Sequence, residues 1–341
     1  MARRLRAPGW SRLFARSLKA ITRSAARSGT RAPPRAAKPK PAARSVAASA
    51  GLWLGGVAAG TVGARRFWLY RPPGVSRGER LPLMVMLHGC GQDAKGFAAS
   101  TRMNSVAARA RFWVLYPEQD RLANAQGCWN WFDTRSGRAQ GEAALILNAI
   151  DQVCLRHPVD RERVGVAGLS AGASMAALLA TRYPERFNAV VMHSGVPPGS
   201  ADSTLSALGA MQGRRGTKPL PTGTGAVATV WPPLLVIHGG ADRVVSAHNA
   251  QAAATLWATA AGAVALAPRH VQRGKRHAML VTDFKRRGRT AATLVEVEGL
   301  GHAWSGGAAS APFSDAQGPD ASRLAWAFVS KQFDRSAQAP P

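Results

Sequence analysis

Three side chains in this sequence have the types and settings needed to attack a carbonyl: Ser170, Asp242 and His302. Ser170 lies in Gly168-Leu169-Ser170-Ala171-Gly172, after the apolar run Val164-Gly165-Val166-Ala167 and before the Ala- and Leu-rich stretch Ser174–Ala180. A serine on a tight strand-to-helix turn is held up at the end of its strand, and flanking glycines leave room where a Cβ would obstruct the backbone. The helix N-terminus beneath it favours developing negative charge. A serine hydroxyl is a poor nucleophile at neutral pH, so it needs a base, and the base needs an acid to orient it. On such a turn the chain order is serine, acid, histidine. Asp242 follows the apolar run Leu234-Leu235-Val236-Ile237 and the turn His238-Gly239-Gly240-Ala241, whereas Asp202 falls in an irregular stretch and Asp283 in a Lys/Arg-rich strand pair. His302 follows the run Leu294–Val297 in Gly299-Leu300-Gly301-His302-Ala303-Trp304. Of the other downstream histidines, His248 lies on a helix, and His270 and His277 lie among basic residues before that run. A tetrahedral oxyanion needs two backbone donors, one from the residue after the nucleophile and one from the loop after an earlier strand. The amides of Ala171 and of Cys90, in His88-Gly89-Cys90-Gly91, are the candidates.

The elements that must position these groups alternate. From Arg65 onward, apolar strand-like runs at 66–70, 83–88, 113–117, 163–169, 189–193, 234–239 and 293–298 are separated by helical patterns at 94–109, 141–156, 171–183 and 247–261, with a last helix at 320–333. This rhythm predicts an α/β class with a mostly parallel sheet flanked by helices, in one catalytic domain over residues 62–335. Residues 199–232, rich in Gly, Pro, Ser and Thr, interrupt the rhythm between two core strands, where a loop over the site would grow.

The composition is that of a folded protein with an unusual charge: 46% hydrophobic residues, yet a net charge of +27. Residues 1–50 hold thirteen Lys and Arg and no acidic residue, and the remainder is still basic. From 29 to 50 there are too few large apolar residues to offset the entropy of ordering, which predicts a largely disordered tail. Before it, Trp10, Leu13, Phe14, Leu18 and Ile21 recur at helical spacing opposite basic residues. Such an amphipathic segment suits an anionic membrane, a polymer granule or non-specific nucleic-acid contact, and equally a plain solubilising arm; no specific nucleic-acid partner is expected. The run 46–60 comes nearest to a signal-peptide core but stands behind a basic stretch far longer than an ordinary one. The cysteines Cys90, Cys128 and Cys154 lack the short spacing of a zinc site and leave room for one disulfide. Cys154, in an apolar periodic run, reads as a small buried hydrophobe.

Five segments together resemble the poly(3-hydroxybutyrate) depolymerase family of esterases, relatives of feruloyl and acetyl-xylan esterases. They are Leu87-His88-Gly89-Cys90-Gly91-Gln92, the pair 116–119 and 127–132, Val166–Gly172, His238–Asp242 and Gly301–Gly307. The resemblance implies an α/β-hydrolase fold, a triad of Ser170, Asp242 and His302, no metal or organic cofactor, and a bridge between Cys90 and Cys128. It implies extracellular work, while the lack of a standard signal peptide points the other way, to a cytoplasmic, granule-associated enzyme. A polyester or its oligomers is the implied substrate, and a feruloyl or acetylated carbohydrate the alternative. A third reading is a binding protein that uses its basic tail. A polyester offers methyl groups and ester dipoles, so Trp129, Trp131 and Trp304 are candidates for an apolar substrate face, their other reading being core packing. Ala173 stands where relatives often carry a further glycine.

Overall fold

The computed structural model describes residues 51–217 and 231–337, with side chains through 333. The basic arm expected over residues 1–50 lies outside them, as does 218–230 of the irregular insertion. Ten strands run in the order β1-β2-β4-β3-β5-β6-β7-β11-β10-β8, and a short β9 (Arg269–Val271) pairs with β10. At the centre are β3 (Leu81–Leu87), β4 (Trp113–Pro117), β5 (Val159–Leu169), β6 (Ala189–His193) and β7 (Leu234–Gly239), all parallel, with β11 (Arg289–Val297) parallel to β7. Every residue of β3, β4, β6 and β7 is buried. Continuous apolar runs of this kind suit a parallel sheet covered by helices on both faces. The α/β class predicted from the alternation is the one found.

The helices are α1 (Ala94–Thr101), α2 (Met103–Ala110), α3 (Arg138–Arg156), α4 (Ala171–Arg182), α5 (Thr204–Met211), α6 (His248–Ala261) and α7 (Ala321–Ala337). Three differences from the sequence pattern have physical causes. The helix expected over 94–109 is two, because Arg102 takes a left-handed φ of 56° and sends its guanidinium to the Gly306 carbonyl at 2.7 Å. The insertion contains α5, started by a capping box of Ser203 and Ser206. The sheet also begins upstream of 62: β1 (Leu52–Gly60) forms an antiparallel hairpin with β2 (Gly63–Arg71), and Trp53 packs edge-on against Trp68 and Tyr70. Glycines and a lack of polar alternation hide that strand, which its pairing with β2 sustains. On the far side, β10 (Met279–Arg286) turns back from β11 with Arg286 opposite Arg289. Beyond it, β8 (Val264–Ala265) completes the edge, and β12 (Trp304–Ser305) and β13 (Ser314–Asp315) form a separate parallel pair.

One buried network ties the sheet to the loop after β4. The Glu142 carboxylate on α3 is wholly buried and accepts from the Asn130 amide N at 2.8 Å, Asn130 Nδ2 at 2.7 Å, Gln119 Nε2 at 2.8 Å and Arg65 at 3.4 Å. A buried carboxylate persists only with such partners, and the partners lose theirs with it. We therefore expect Glu142→Ala to cost about 3–5 kcal/mol in denaturant unfolding, and Glu142→Gln, which keeps an acceptor, to cost less. A loss under about 1 kcal/mol in the alanine variant would contradict this account of the network.

Candidate active site

The turn after β5 carries Ser170 at φ 57° and ψ −121°, a left-handed conformation that a side chain rarely adopts. Two glycines make it sterically achievable. A Cβ on Gly168 would stand 2.3 Å from the carbonyl carbon of Gly172, and one on Gly172 would stand 2.1 Å from the Leu87 carbonyl oxygen. The Ser170 amide donates to the His193 carbonyl at 2.9 Å, which fixes the turn to the end of β6. Ser170 is half-buried, at the N-terminus of α4.

The structure brings Asp242 and His302 together. The loops that carry them are joined by backbone bonds from Gly240 to Val297 at 2.8 Å and from Ala241 to Leu300 at 3.0 Å, a continuation of the β7–β11 pairing. Asp242 Oδ2 accepts from His302 Nδ1 at 2.7 Å, and Oδ1 accepts from the amides of Val244 and Val245, both at 2.9 Å. The Asp242 side chain is fully buried and that of His302 is 7% exposed. Burial pushes the Asp242 carboxyl up, but the His302 hydrogen bond, with the neighbouring imidazoles of His302 and His238 and the Val245 amide, outweighs it and holds the group below its ordinary value. With Nδ1–H committed to Asp242, the other ring nitrogen of His302 is left as the basic one.

The loop after β3 lies against the turn of Ser170. A Cβ built on Gly89 would come within 3.6 Å of Ser170 Cβ and 3.4 Å of the Leu169 carbonyl oxygen. The loop is closed by Gly89 N donating to Gln92 Oε1 at 3.0 Å, and pinned from outside by Gly91 N to Gln126 O at 2.8 Å and by a disulfide between Cys90 and Cys128, Cα atoms 4.2 Å apart. Cys90 and Ala171, the two sequence candidates for oxyanion donors, thus stand on loops that meet at Ser170. Cys154 is a free thiol on α3, half-buried rather than enclosed.

The tryptophans require a correction. Trp304 and Trp129 are 0% exposed and Trp131 is 7% exposed, so their rings form core and not a substrate face. Trp304 lies edge-on to Phe97 and donates its Nε1 to Ser322 Oγ at 3.1 Å; Trp129 packs beside His88. Three other residues matter more than their sequence reading suggested. His88, His193 and His238 stand at the C-terminal ends of β3, β6 and β7, fully buried and each bonded to a neighbouring loop. His88 Nε2 accepts from the Gln119 amide at 3.0 Å, His193 Nε2 from the Ser305 amide at 3.1 Å, and His238 Nε2 donates to the Val245 carbonyl at 2.9 Å. Burial holds all three below the usual histidine range. The signal that could have found them is a histidine closing an apolar run just before Gly or Ser-Gly. Among the described residues, no group of three or more His, Cys, Asp and Glu is placed to hold a metal ion.

Residues 65–274 match the family described as Esterase PHB depolymerase. Over 177 residues the chain is 34% identical to poly(3-hydroxyalkanoate) depolymerase C of Paucimonas lemoignei, covering 49% of this chain and 42% of that protein. Over 193 residues it is 28% identical to feruloyl esterase B of Neurospora crassa, covering 53% of this chain and 65% of that protein. The chain thus spans less than two thirds of the length of either relative. Among solved structures, an acetyl xylan esterase from Aspergillus awamori superposes with a TM-score of 0.59 at 21% identity, over 70% of this chain and 89% of that one. That likeness is one of fold, the α/β-hydrolase fold.

The lowered pKa of Asp242 makes stability depend on pH. Because the folded value lies below the unfolded one, near 3.9, the stabilisation is present above that pH and is lost as pH falls through the folded value. We expect the unfolding free energy of the wild type to drop more steeply than that of Asp242→Asn between about pH 5 and pH 2. Parallel curves would contradict the assignment of the His302–Asp242 bond as a charge-stabilised pair.

Proposed function

The chain belongs to the family described as Esterase PHB depolymerase, and from that premise we propose that it hydrolyses carboxylic esters through an acyl-enzyme on Ser170. The single observation that carries the reading is the 2.7 Å bond from His302 Nδ1 to a fully buried Asp242, at the sheet edge that also bears the left-handed turn of Ser170. Ser170 Oγ attacks the ester carbonyl carbon while His302 takes its proton. The carbonyl oxygen becomes an oxyanion, received by the amides of Cys90 and Ala171. As the tetrahedral intermediate collapses, the bond to the leaving oxygen breaks and His302 hands its proton to the departing alcohol. Water, deprotonated by the same histidine, then releases the acid and restores the Ser170 hydroxyl. Asp242 keeps the tautomer and steadies the imidazolium that forms in each half.

A hydroxyalkanoate polyester or its oligomers is the substrate class we favour. A second reading, a feruloyl or acetyl ester of a carbohydrate, draws support from the 28% identity to feruloyl esterase B of Neurospora crassa. The Cys90–Cys128 bridge supports work in an oxidising compartment, outside the cytoplasm. Among the described residues no helix is long and apolar enough to cross a membrane.

Ser170→Ala is expected to lower turnover of p-nitrophenyl acetate by about 10³-fold or more with the fold intact. Retention of a tenth of wild-type activity would remove Ser170 from the mechanism. Hydroxybutyrate oligomers, methyl ferulate and acetylated xylan, assayed side by side, decide the substrate class: oligomer turnover exceeding the others supports the polyester reading, and the reverse order supports the carbohydrate one.

A further inference from the structure

His193 makes two bonds to the site at once. Its backbone carbonyl accepts from the Ser170 amide at 2.9 Å, and its ring Nε2 accepts from the Ser305 amide at 3.1 Å, three residues after His302. The Ser305 end is itself anchored, since its hydroxyl donates to the Pro319 carbonyl at 2.7 Å and the preceding Trp304 amide donates to Phe313 at 2.8 Å. We propose that His193 is a positioning residue, whose imidazole sets where the loop of His302 lies relative to the turn of Ser170. The proposal rests on the acyl-enzyme reading above.

The chemistry of the ring agrees with a fixed tether. A backbone amide is a donor, so the Nε2 it meets must be the unprotonated nitrogen, and the ring hydrogen sits on Nδ1, 3.2 Å from Ser194 Oγ. The ring is 0% exposed and stacks on Trp304 with centroids 5.0 Å apart and planes 26° from parallel. Burial, reinforced by the neighbouring His238 and His302 and opposed by Asp242, pushes its pKa down to about 3, so the ring stays neutral and keeps its acceptor at working pH. Packing alone would not call for an imidazole here. A phenyl ring would stack on Trp304 without any buried polar atom to satisfy, and a buried polar group lowers stability unless it is bonded. Neighbouring groups follow the same pattern: Ser194 is held at φ 53° with its amide on Ile237, which keeps the chain after His193 against β7. Nucleophile, base loop and acid strand therefore converge on one residue that touches no substrate in the mechanism. Small displacements between reacting groups are costly in rate, on the order of a hundredfold for about 1 Å.

The test compares His193→Phe, which keeps the stack and removes the acceptor, with His193→Gln, whose amide oxygen can accept from Ser305. Each is assayed with p-nitrophenyl acetate beside the wild type and Ser170→Ala. In His193→Phe, kcat is expected to fall about ten- to hundredfold while KM moves less than about threefold, and in His193→Gln kcat returns to within about threefold of the wild type. A folded His193→Phe with wild-type kcat overturns the proposal, as does equal loss in both variants. Should the phenylalanine variant fail to fold, nitrogen-15 NMR of the wild-type ring decides: hydrogen on Nδ1 across pH 5–9 supports the tether, and hydrogen on Nε2 overturns it. Failure of the underlying reading looks different, because there Ser170→Ala would stay active whatever happens at His193.

Discussion

The Leu87 carbonyl leaves no space for a side chain on the helix side of Ser170, and most of the site can be derived from that closeness. With a Cβ on Gly172 placed at 2.1 Å from that oxygen, the turn after β5 can pass only if the position is glycine. Two residues before it, Ser170 is held in a left-handed conformation, which costs about 1–3 kcal/mol and survives only where the surroundings over-determine it. Here they do: Ser170 is bonded to β6 through His193, and α4 begins at the next residue. Because β3 and β5 are neighbours in the sheet, the loop leaving β3 passes the serine, and a Cβ on Gly89 would stand 3.6 Å from Ser170 Cβ.

Around that turn stand four histidines with different partners. His88, His193 and His238 are buried without a bonded carboxylate as close as that of His302, and desolvation keeps them uncharged, so they serve as fixed donors or acceptors at strand ends. His302 differs in having its Nδ1 hydrogen held by a carboxylate that is itself ionised and supplied with two backbone amides. The difference in roles follows from partners, since all four are the same residue type. Asp242 and His302 stay in register because their loops extend the pairing of β7 with β11, so their separation is set by the sheet and not by a flexible tether.

What was legible in the sequence was local. The strand, turn and helix around Ser170 each declare themselves within a few residues, and Asp242 and His302 each follow an apolar run at a strand exit, so their positions could be read without knowing what lay opposite. What was hidden depends on partners far away in the chain. β1 is a glycine-rich run that becomes a strand through β2, and the break at Arg102 answers to the Gly306 carbonyl across the molecule. The tryptophans misled for the same reason: chemistry suggested a polyester-binding face, whereas the volume beside His88 and His193 had to be filled by large rings. The bridge from Cys90 to Cys128 was implied by family resemblance and not by spacing, since nothing in a gap of 38 residues predicts which cysteine turns back.

Whether this geometry makes Ser170 nucleophilic is tested most directly by covalent trapping. The protein is treated with a p-nitrophenyl phosphonate ester, which loses nitrophenolate as its phosphorus bonds to an activated serine, and the adduct is located by peptide mass spectrometry. One adduct per chain is expected, on Ser170, formed at a rate that collapses in His302→Ala. An adduct on another residue, or esterase activity that persists in fully labelled protein, would contradict it.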